Sequence, residues 1–381
     1  MKIAVPKETW EGERRVGLVP ESVSPLLKIG LSVTVETGAG ASAGFSDDDF
    51  AQAGAEITSG DVLAAGDVVF KVRAPSPAEV ERLRPGTVLL ALMDPAVNES
   101  LIAGLAGRKV SVLSLERIPR ITRAQSMDVL SSQATVAGYM AVLMAAQRLP
   151  RFFPMLMTAA GTIKAAQVLI IGAGVAGLQA IGTAKRLGAR VKASDVRPAA
   201  REEVESLGAR FVGAELLDEA AKAEGGYAKE QTEEQKARQK EVLRDSISKT
   251  DVIICSALVA GGRAPVVLDA PSVEVMKQGS VIIDLAAEQG GNCALTQPGQ
   301  EVIHQGVTIC GLLNVTSMKA ADASRMFSRN LTNLMKHLAP KGEMANLAED
   351  EIARACLVAH DGQVWSGGSP ATEAGAAGGK S

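Results

Sequence analysis

The sequence predicts an α/β protein of two domains built on parallel sheets. Short apolar strands alternate with helical patterns in two series along the chain, and this alternation requires the crossover connections that join parallel strands. The second series opens with a glycine-rich junction between a strand and a helix, at residues 172–177. The chain has 381 residues, of which 46% are hydrophobic. It can therefore bury a large core, and its length favours two domains over one.

The first series runs from Lys2 to Leu115. Its clearest helix has apolar residues at helical spacing over Glu21–Ile29 and ends at Gly30. Short apolar or alternating runs predict strands at Lys2–Pro6, Ser32–Glu36, Val68–Val72, Val88–Leu92 and Val110–Leu115.

A long helix separates the two series. It is predicted over Ser131–Leu149, with a serine at its start and Pro150 to stop it. Another helix follows the second series over Asp322–Leu338, and the Gly/Ala/Ser-rich stretch Gly367–Ser381 predicts a linker or a disordered end. The strands of the second series are predicted at Val168–Ile171, Arg190–Ser194, Phe211–Val212, Val252–Cys255, Val281–Leu285 and Val307–Ile309.

The segment Glu215–Lys249 departs from this alternation. Its run of alternating charges predicts a solvated helix over Thr232–Arg244. Tyr227 follows two glycines, Gly225 and Gly226, which fit no helix. The tyrosine is either a mobile hook over a ligand or part of the core.

Composition excludes several classes of function. A net charge of −3 and an aromatic content of 3% give no electrostatic or stacking basis for nucleic-acid binding. The four cysteines are scattered without a disulfide or zinc spacing, which suits a reducing cytosol. The N-terminus lacks the apolar stretch of a signal peptide. The longest apolar run, Val168–Ala184, is broken by glycines and Gln179, so we expect a soluble chain.

The glycine-rich junction reads Gly172-Ala173-Gly174-Val175-Ala176-Gly177, between an apolar strand and an amphipathic helix. The spacing is that of a dinucleotide-binding turn. Gly172 permits the tight turn, Gly174 lets the backbone approach a pyrophosphate, and Gly177 lets the helix pack against the strand. The helix N-terminus supplies unpaired N–H groups to phosphates. The alternative is glycine-rich packing without a ligand.

Asp195 ends the next predicted strand, where a carboxylate can accept both hydroxyl groups of an adenosine ribose. It would also repel a 2′-phosphate, so the sequence favours NAD(H) over NADP(H). Arg197 leaves this choice less clear, because an arginine there can hold a 2′-phosphate or stack on adenine.

Other polar residues have both a functional and a structural interpretation. Arg117–Ser132 (RIPRITRAQSMDVLSS) could present guanidinium, amide and carboxylate groups to a ligand, or could be an interdomain hydrogen-bonded loop. Lys71 and Arg15 could bind an acidic substrate or could be surface charges. The three histidines, which would be the usual proton carriers of a dehydrogenase, are expected to be structural or exposed: His304, His337 and His360.

Four motifs together resemble the soluble NAD(H)-binding component of the proton-translocating NAD(P) transhydrogenases: RITRAQSMDVLSSQ, GAGVAGLQAIGTAKRLGA with DVR, GGYAKE, and IIDLAAEQGGNC. The opening KIAVPKET…GERRVGLVPESV is shared with the related alanine dehydrogenases. The resemblance covers about residues 1–365. The RAQSMD and GGYAKE loops are specific to the family, whereas the glycine motif is not.

The resemblance implies two Rossmann-like, doubly wound parallel-sheet domains separated by a cleft. One would combine residues 1–129 with 316–365, the other would be residues 130–315 with the NAD(H) site, and 366–381 would be a flexible tail. It implies that Arg120, Gln125, Asp128 and Ser131 contact the nicotinamide end and that Tyr227 closes over the nucleotide. The remaining residues assigned to the cofactor are Arg123, Gly172, Gly174, Val175, Gly177, Asp195, Val196, Arg197, Gly226 and Leu258.

The implied activity is hydride transfer between NADH and NADP⁺ held by a partner subunit, coupled to proton movement through separate membrane subunits. Transfer between two nicotinamides moves no proton at the reacting carbons, so neither a catalytic acid–base residue nor a metal is expected. The resemblance also implies a homodimer on the cytoplasmic face of the inner membrane.

An alanine dehydrogenase is the alternative function. Lys71 and Arg15 match that family, but Leu92 stands where it has a histidine, so the proton carrier is missing. Glu288 stands at that family's acidic position, and Glu288 and Met318-Lys319 leave the contacts of the first domain less certain.

Overall fold

The computed structural model describes residues 1–213, 243–258 and 262–371. The chain divides into two compact units. Unit 1 comprises Met1–Gln133 and Thr316–Ser381, and unit 2 comprises Ala134–Val315. Residues from both ends of the chain therefore build unit 1.

The secondary structure alternates between strands and helices through most of the described chain. The described strands are β1 Lys2–Val5, β2 Ser32–Glu36, β3 Glu56–Thr58, β4 Val68–Arg73, β5 Val88–Leu92, β6 Ser111–Ser114, β7 Leu156–Thr158, β8 Gly161–Ile163, β9 Gln167–Ile171, β10 Arg190–Ser194, β11 Arg210–Phe211, β12 Val252–Cys255, β13 Val281–Asp284, β14 Glu301–His304, β15 Val307–Cys310, β16 Leu357–His360, β17 Gln363–Ser366 and β18 Ser369–Pro370. The main helices are α1 Pro20–Leu27, α2 Asp47–Gln52, α3 Val62–Ala65, α4 Pro77–Arg82, α5 Glu99–Gly107, α6 Val129–Arg148, α7 Val175–Arg186, α8 Ala200–Ser206, α9 Ala270–Glu274, α10 Ala320–Leu338 and α11 Glu351–Cys356.

Unit 1 contains a nine-stranded sheet in the order β18-β17-β16-β6-β5-β4-β1-β2-β3. Strands β1 to β6 are parallel, and their order 3-2-1-4-5-6 is that of a Rossmann sheet. Strands β16 to β18 extend one edge in antiparallel fashion.

Unit 2 repeats this architecture with seven strands in the order β11-β10-β9-β12-β13-β15-β14. The six parallel strands again follow the order 3-2-1-4-5-6, and β14 pairs antiparallel with β15. The predicted α/β fold with two Rossmann-like domains is confirmed.

Both sheets are covered on both faces. In β9, Val168 and Ile170 belong to one buried cluster, whereas Leu169 and Ile171 belong to another. A strand buried on both faces reads as a continuous apolar run rather than an alternating one. This is why the central strands are so clear in the sequence.

Helix α6 begins in unit 1 and continues in unit 2. Its length and apolar composition would allow it to cross a membrane, but half of its apolar window is buried inside the protein. Met140, Val142 and Met144 pack into a buried cluster of unit 2. A core helix of a soluble protein passes the same test of length and composition, so α6 is weak evidence for a membrane span.

The structure differs from the sequence prediction near the C-terminus. The tail was expected from residue 366, yet β17 and β18 form a hairpin through Gly367 and Gly368, whose φ angles are +60° and +80°. Two positive φ angles in a two-residue turn suit a tight β-hairpin, so the glycines mark a turn rather than a linker. The prediction for residues 372–381 lies outside the described residues, as does most of the charged helix predicted over Thr232–Arg244.

Candidate dinucleotide-binding site

The carboxyl end of β9 is the topological switch point of unit 2. Strand β9 lies between β10 and β12, which follow it in opposite directions across the sheet. Loops that leave adjacent strands at such a point separate and open a crevice, where open α/β sheets bind their ligands.

The three glycines after β9 lack side chains for three different reasons. Gly172 has φ +91°, and a Cβ there would lie 2.8 Å from the Ala257 nitrogen. A Cβ on Gly177 would lie 1.9 Å from the Gly172 carbonyl oxygen, so the helix could not approach its strand. A Cβ on Gly174 would meet no described atom within 4 Å. Protein packing requires the first and third glycines, whereas the second faces open space that a ligand could fill.

Helix α7 starts at Val175, directly beyond this open space. Gly174 is its N-cap residue and offers no side-chain oxygen to the first turn. The N-terminal N–H groups of an uncapped helix carry partial positive charge and bind anions. The first turn of α7 and the space at Gly174 therefore fit a pyrophosphate.

Asp195 follows β10 and closes the other side of the crevice. Its Oδ2 accepts a hydrogen bond from the Ala173 N–H at 2.7 Å, and its Oδ1 accepts from the Arg197 N–H at 2.8 Å and from Arg197 Nε at 3.0 Å. Burial raises the pKa of Asp195, but hydrogen bonds from Arg197 and the backbone outweigh burial and hold the pKa below its usual value. The carboxylate is thus ionised at neutral pH and ready to accept hydroxyl donors.

Exposed apolar side chains surround this crevice. Val175 is 42% exposed, Leu258 55% and Val196 70%. They lie at the start of α7 and after β12 and β10 respectively, at the carboxyl edge of the sheet. An adenine or ribose lying there would cover them.

Sequence reasoning missed two residues that support this edge. Asp284, at the end of β13, accepts hydrogen bonds from the Asn292 and Cys293 N–H groups and from the Thr296 hydroxyl at 2.6 Å. Buried Asn292 holds both the N–H and the carbonyl of Ala257. The motif IIDLAAEQGGNC was used only as a family signature. A carboxylate directly after a buried apolar strand was the local signal available.

In unit 1, the predicted nicotinamide-contacting residues fall into two groups. Arg120 and Gln125 are exposed, and neither side chain forms a hydrogen bond within the described ranges. Asp128 and Ser131 instead contact each other at the start of α6. Asp128 Oδ1 accepts from the Ser131 N–H at 2.9 Å, and the Ser131 hydroxyl donates to Asp128 Oδ2 at 2.6 Å. This pair caps the helix and so has a structural role in addition to the predicted one.

Arg123 forms an exposed ion pair with Glu351 of α11. In this arrangement its guanidinium contacts unit 1 itself. Gly226 and Tyr227 lie outside the described residues.

Arg15 and Lys71 belong to a buried ion-pair network. Arg15 pairs with Glu13 at 2.7 Å and donates to Gln133 at 2.8 Å. Lys71 is fully buried between Glu79, at 2.9 Å, and Glu8, at 3.3 Å. The surface-charge interpretation of these two residues is therefore wrong.

The charges in this network shift the carboxyl groups in opposite directions. Burial would raise the pKa of Glu13, but hydrogen bonds and charge from Arg15 lower it to about 2. For Glu8, burial dominates over Lys71 and raises the pKa.

The histidines and cysteines have structural surroundings. Among the described residues, no cluster of three or more His, Cys, Asp or Glu could hold a metal ion. All four cysteines are free and buried, and burial raises the pKa of each thiol. His337 contacts Asp350 at 2.8 Å, His360 contacts Ser111 at 2.8 Å, and His304 lies 3.6 Å from Glu274.

Glu288 and Leu92 occupy the positions that matter for the alternative function. Glu288 Oε1 accepts a hydrogen bond from the Asn314 N–H at 2.7 Å. Leu92 ends β5 opposite Arg73 and packs partly buried against the core of unit 1. An aliphatic side chain there can carry no proton.

Comparison with known proteins gives consistent results over nearly the whole chain. The N-terminal domain described as "Alanine dehydrogenase/PNT" matches residues 4–137, and the corresponding C-terminal domain matches residues 141–367. The chain is 47% identical over 376 residues to the first of the polypeptides that make up the NAD(P) transhydrogenase alpha subunit of Rhodospirillum rubrum, covering 96% of this chain and 97% of the relative. It is 31% identical to an alanine dehydrogenase of Halomonas elongata, covering 96% and 94%. A solved transhydrogenase structure from Sinorhizobium meliloti, 42% identical, superposes with a TM-score of 0.88 over 96% of this chain and 100% of that chain.

Proposed function

The chain belongs to the alanine dehydrogenase/PNT family, and on that basis we propose that it is the NAD(H)-binding alpha component of a proton-translocating NAD(P) transhydrogenase. In this function, hydride passes between NADH on this chain and NADP⁺ on a partner subunit. Relatives at 40–47% identity are named as transhydrogenase alpha subunits.

The open space at Gly174 is the observation that carries the proposal. Gly172 and Gly177 are required by the packing of the protein alone, but no described neighbour explains the missing side chain at Gly174. Together with the uncapped first turn of α7 and the ionised Asp195, it forms a cradle for the pyrophosphate and adenosine ribose of NAD(H).

The chemistry requires positioning rather than proton transfer. NAD(H), when bound, supplies the nicotinamide carbon that gives or takes the hydride. Gln125 orients the ring carboxamide with its own exposed amide, and Arg120 adds a second donor on the same loop. Tyr227 closes over the nucleotide and excludes water. The structural contacts of the three histidines agree with a reaction that needs no acid–base residue.

The partners follow from the same proposal. The relatives are named as an alpha subunit, in some cases as one polypeptide of a divided alpha subunit, and such names imply further subunits. We propose that a separate subunit binds NADP(H), that membrane-spanning subunits move the proton, and that this chain acts as a homodimer on the cytoplasmic face of the inner membrane.

A reconstitution experiment tests this function. The purified chain is mixed with an NADP(H)-binding transhydrogenase subunit, and reduction of an NAD⁺ analogue by NADPH is followed spectroscopically. The proposal predicts turnover that requires both proteins. The same preparation is assayed with L-alanine and NAD⁺, where no turnover is expected because Leu92 carries no proton. Alanine-dependent reduction of NAD⁺ by this chain alone would replace the proposal with the dehydrogenase function.

A further inference from the structure

The loop that carries Gln125 folds as an unusually long 3₁₀ helix. It spans Thr122–Met127, six residues, whereas 3₁₀ runs beyond three or four residues are uncommon because their hydrogen-bond geometry is poor. Such a segment needs support from outside itself. Some of that support is apolar, since Ala124 and Met127 are buried in the same core cluster as Phe327 and Leu331 of α10.

The other support is polar and acts on one peptide group. The Ser126 carbonyl oxygen accepts a hydrogen bond from Asn330 Nδ2 at 2.9 Å and a second from Asn333 Nδ2 at 3.2 Å. Residues three apart on a helix lie on the same face, so α10 presents both amides together. They use both lone pairs of a carbonyl that directly follows Gln125 in the chain. We call Asn330 and Asn333 the amide clamp.

The chemistry of Asn330 does not suit a residue that serves only stability. Its side chain is 8% exposed, and its Oδ1 has no hydrogen-bond partner among the described residues. A buried acceptor without a donor destabilises the folded state, and an apolar residue of similar size would avoid that cost. An unsatisfied group of this kind calls for an explanation, and a functional role is one.

We propose that Asn330 is a positioning residue for hydride transfer, which fixes the Ser126 peptide so that the adjacent Gln125 amide is held in one orientation. Asn333 reinforces it from the more exposed side of α10. This inference rests on the proposed function, because it assumes that Gln125 orients the nicotinamide. It adds a segment of unit 1 that lies far along the sequence from the loop it controls.

Asn330→Leu tests the proposal because leucine keeps the size and helix propensity but removes the amide. We expect the urea midpoint of unfolding to stay the same or rise, since the unpartnered Oδ1 is gone. Hydride transfer with the NADP(H)-binding partner subunit should fall by roughly 10- to 100-fold, the effect of misplacing a positioning group by about 1 Å. Amide hydrogen exchange in residues 122–128 should become faster. Asn333→Ala should change both readouts in the same direction by less, and Lys336→Ala, an exposed position on the same helix, should change neither.

A double-mutant cycle with Gln125→Ala separates positioning from general damage. If Asn330 acts through Gln125, adding Asn330→Leu to Gln125→Ala causes no more than about a twofold further loss of rate. Losses that multiply, or an unchanged rate and exchange in Asn330→Leu, would overturn the proposal. If Gln125→Ala itself leaves hydride transfer intact while loop exchange still responds to Asn330→Leu, the clamp exists but the role proposed for Gln125 fails, and with it the positioning function. That result leaves the rest of the proposed function standing.

Discussion

Replacing Gly174 with alanine should impair nucleotide binding without impairing folding. A Cβ at this position meets no described atom within 4 Å, and the N-cap backbone of Gly174, at φ −71°, is open to any residue. Alanine is a poorer N-cap than glycine by only a few tenths of a kcal/mol, so the free energy of unfolding should change by less than about 0.5 kcal/mol.

The added methyl group would occupy the space through which a pyrophosphate reaches the first turn of α7. A hydrogen bond to a charged group contributes about 1.5–3 kcal/mol. Losing one such bond should weaken NADH binding roughly 10- to 150-fold.

Gly177→Ala is the matched control with the opposite expectation. Its Cβ would lie 1.9 Å from the Gly172 oxygen, so backbone must move. Overpacking of this kind costs about 1–3 kcal/mol of stability.

Both variants are measured by urea unfolding and by fluorescence titration with NADH. Wild-type affinity in folded Gly174→Ala would refute the interpretation of the cradle. Marked destabilisation of Gly174→Ala would refute the assignment of open space.

Three further predictions concern other regions of the molecule. Asp195→Ala should weaken NADH binding and reduce discrimination against NADPH in competitive titrations; unchanged selectivity would remove Asp195 from the ribose site. Glu13 has its pKa lowered to about 2 from an ordinary 4.5, so its contribution to stability is present above pH 4.5 and is lost as pH falls towards 2. The difference in free energy of unfolding between wild type and Glu13→Gln should therefore shrink by about 3 kcal/mol over that range, whereas a constant difference would contradict the ion pair with Arg15. The four cysteines should resist Ellman's reagent in the native protein and react fully in guanidinium chloride, and rapid native labelling of Cys255 would contradict its burial.

The sequence predicted the central strands and long helices well because their signals are local. Strands β2, β5, β10 and β12 have the predicted bounds, since each is an apolar or alternating run ended by a turn. The cradle was equally visible, because the three glycines, the strand and Asp195 lie within one short segment.

Features that depend on distant pairing were missed. The hairpin β7–β8 and the antiparallel strands β16 to β18 are short, exposed or at sheet edges, where alternation is weak. Lys71 reads as a charge on an apolar strand, and only the fold brings Glu8 and Glu79 around it. The amide clamp was invisible for the same reason, because Ser126 and Asn330 meet only after unit 1 has assembled from both ends of the chain.

A crystal structure of the protein with NADH tests the central claim most directly. The account predicts the pyrophosphate against Gly174 and the first turn of α7, the adenosine ribose on Asp195, and the nicotinamide carboxamide on Gln125. Clear density for NADH elsewhere on the chain, with the space at Gly174 empty, would contradict it.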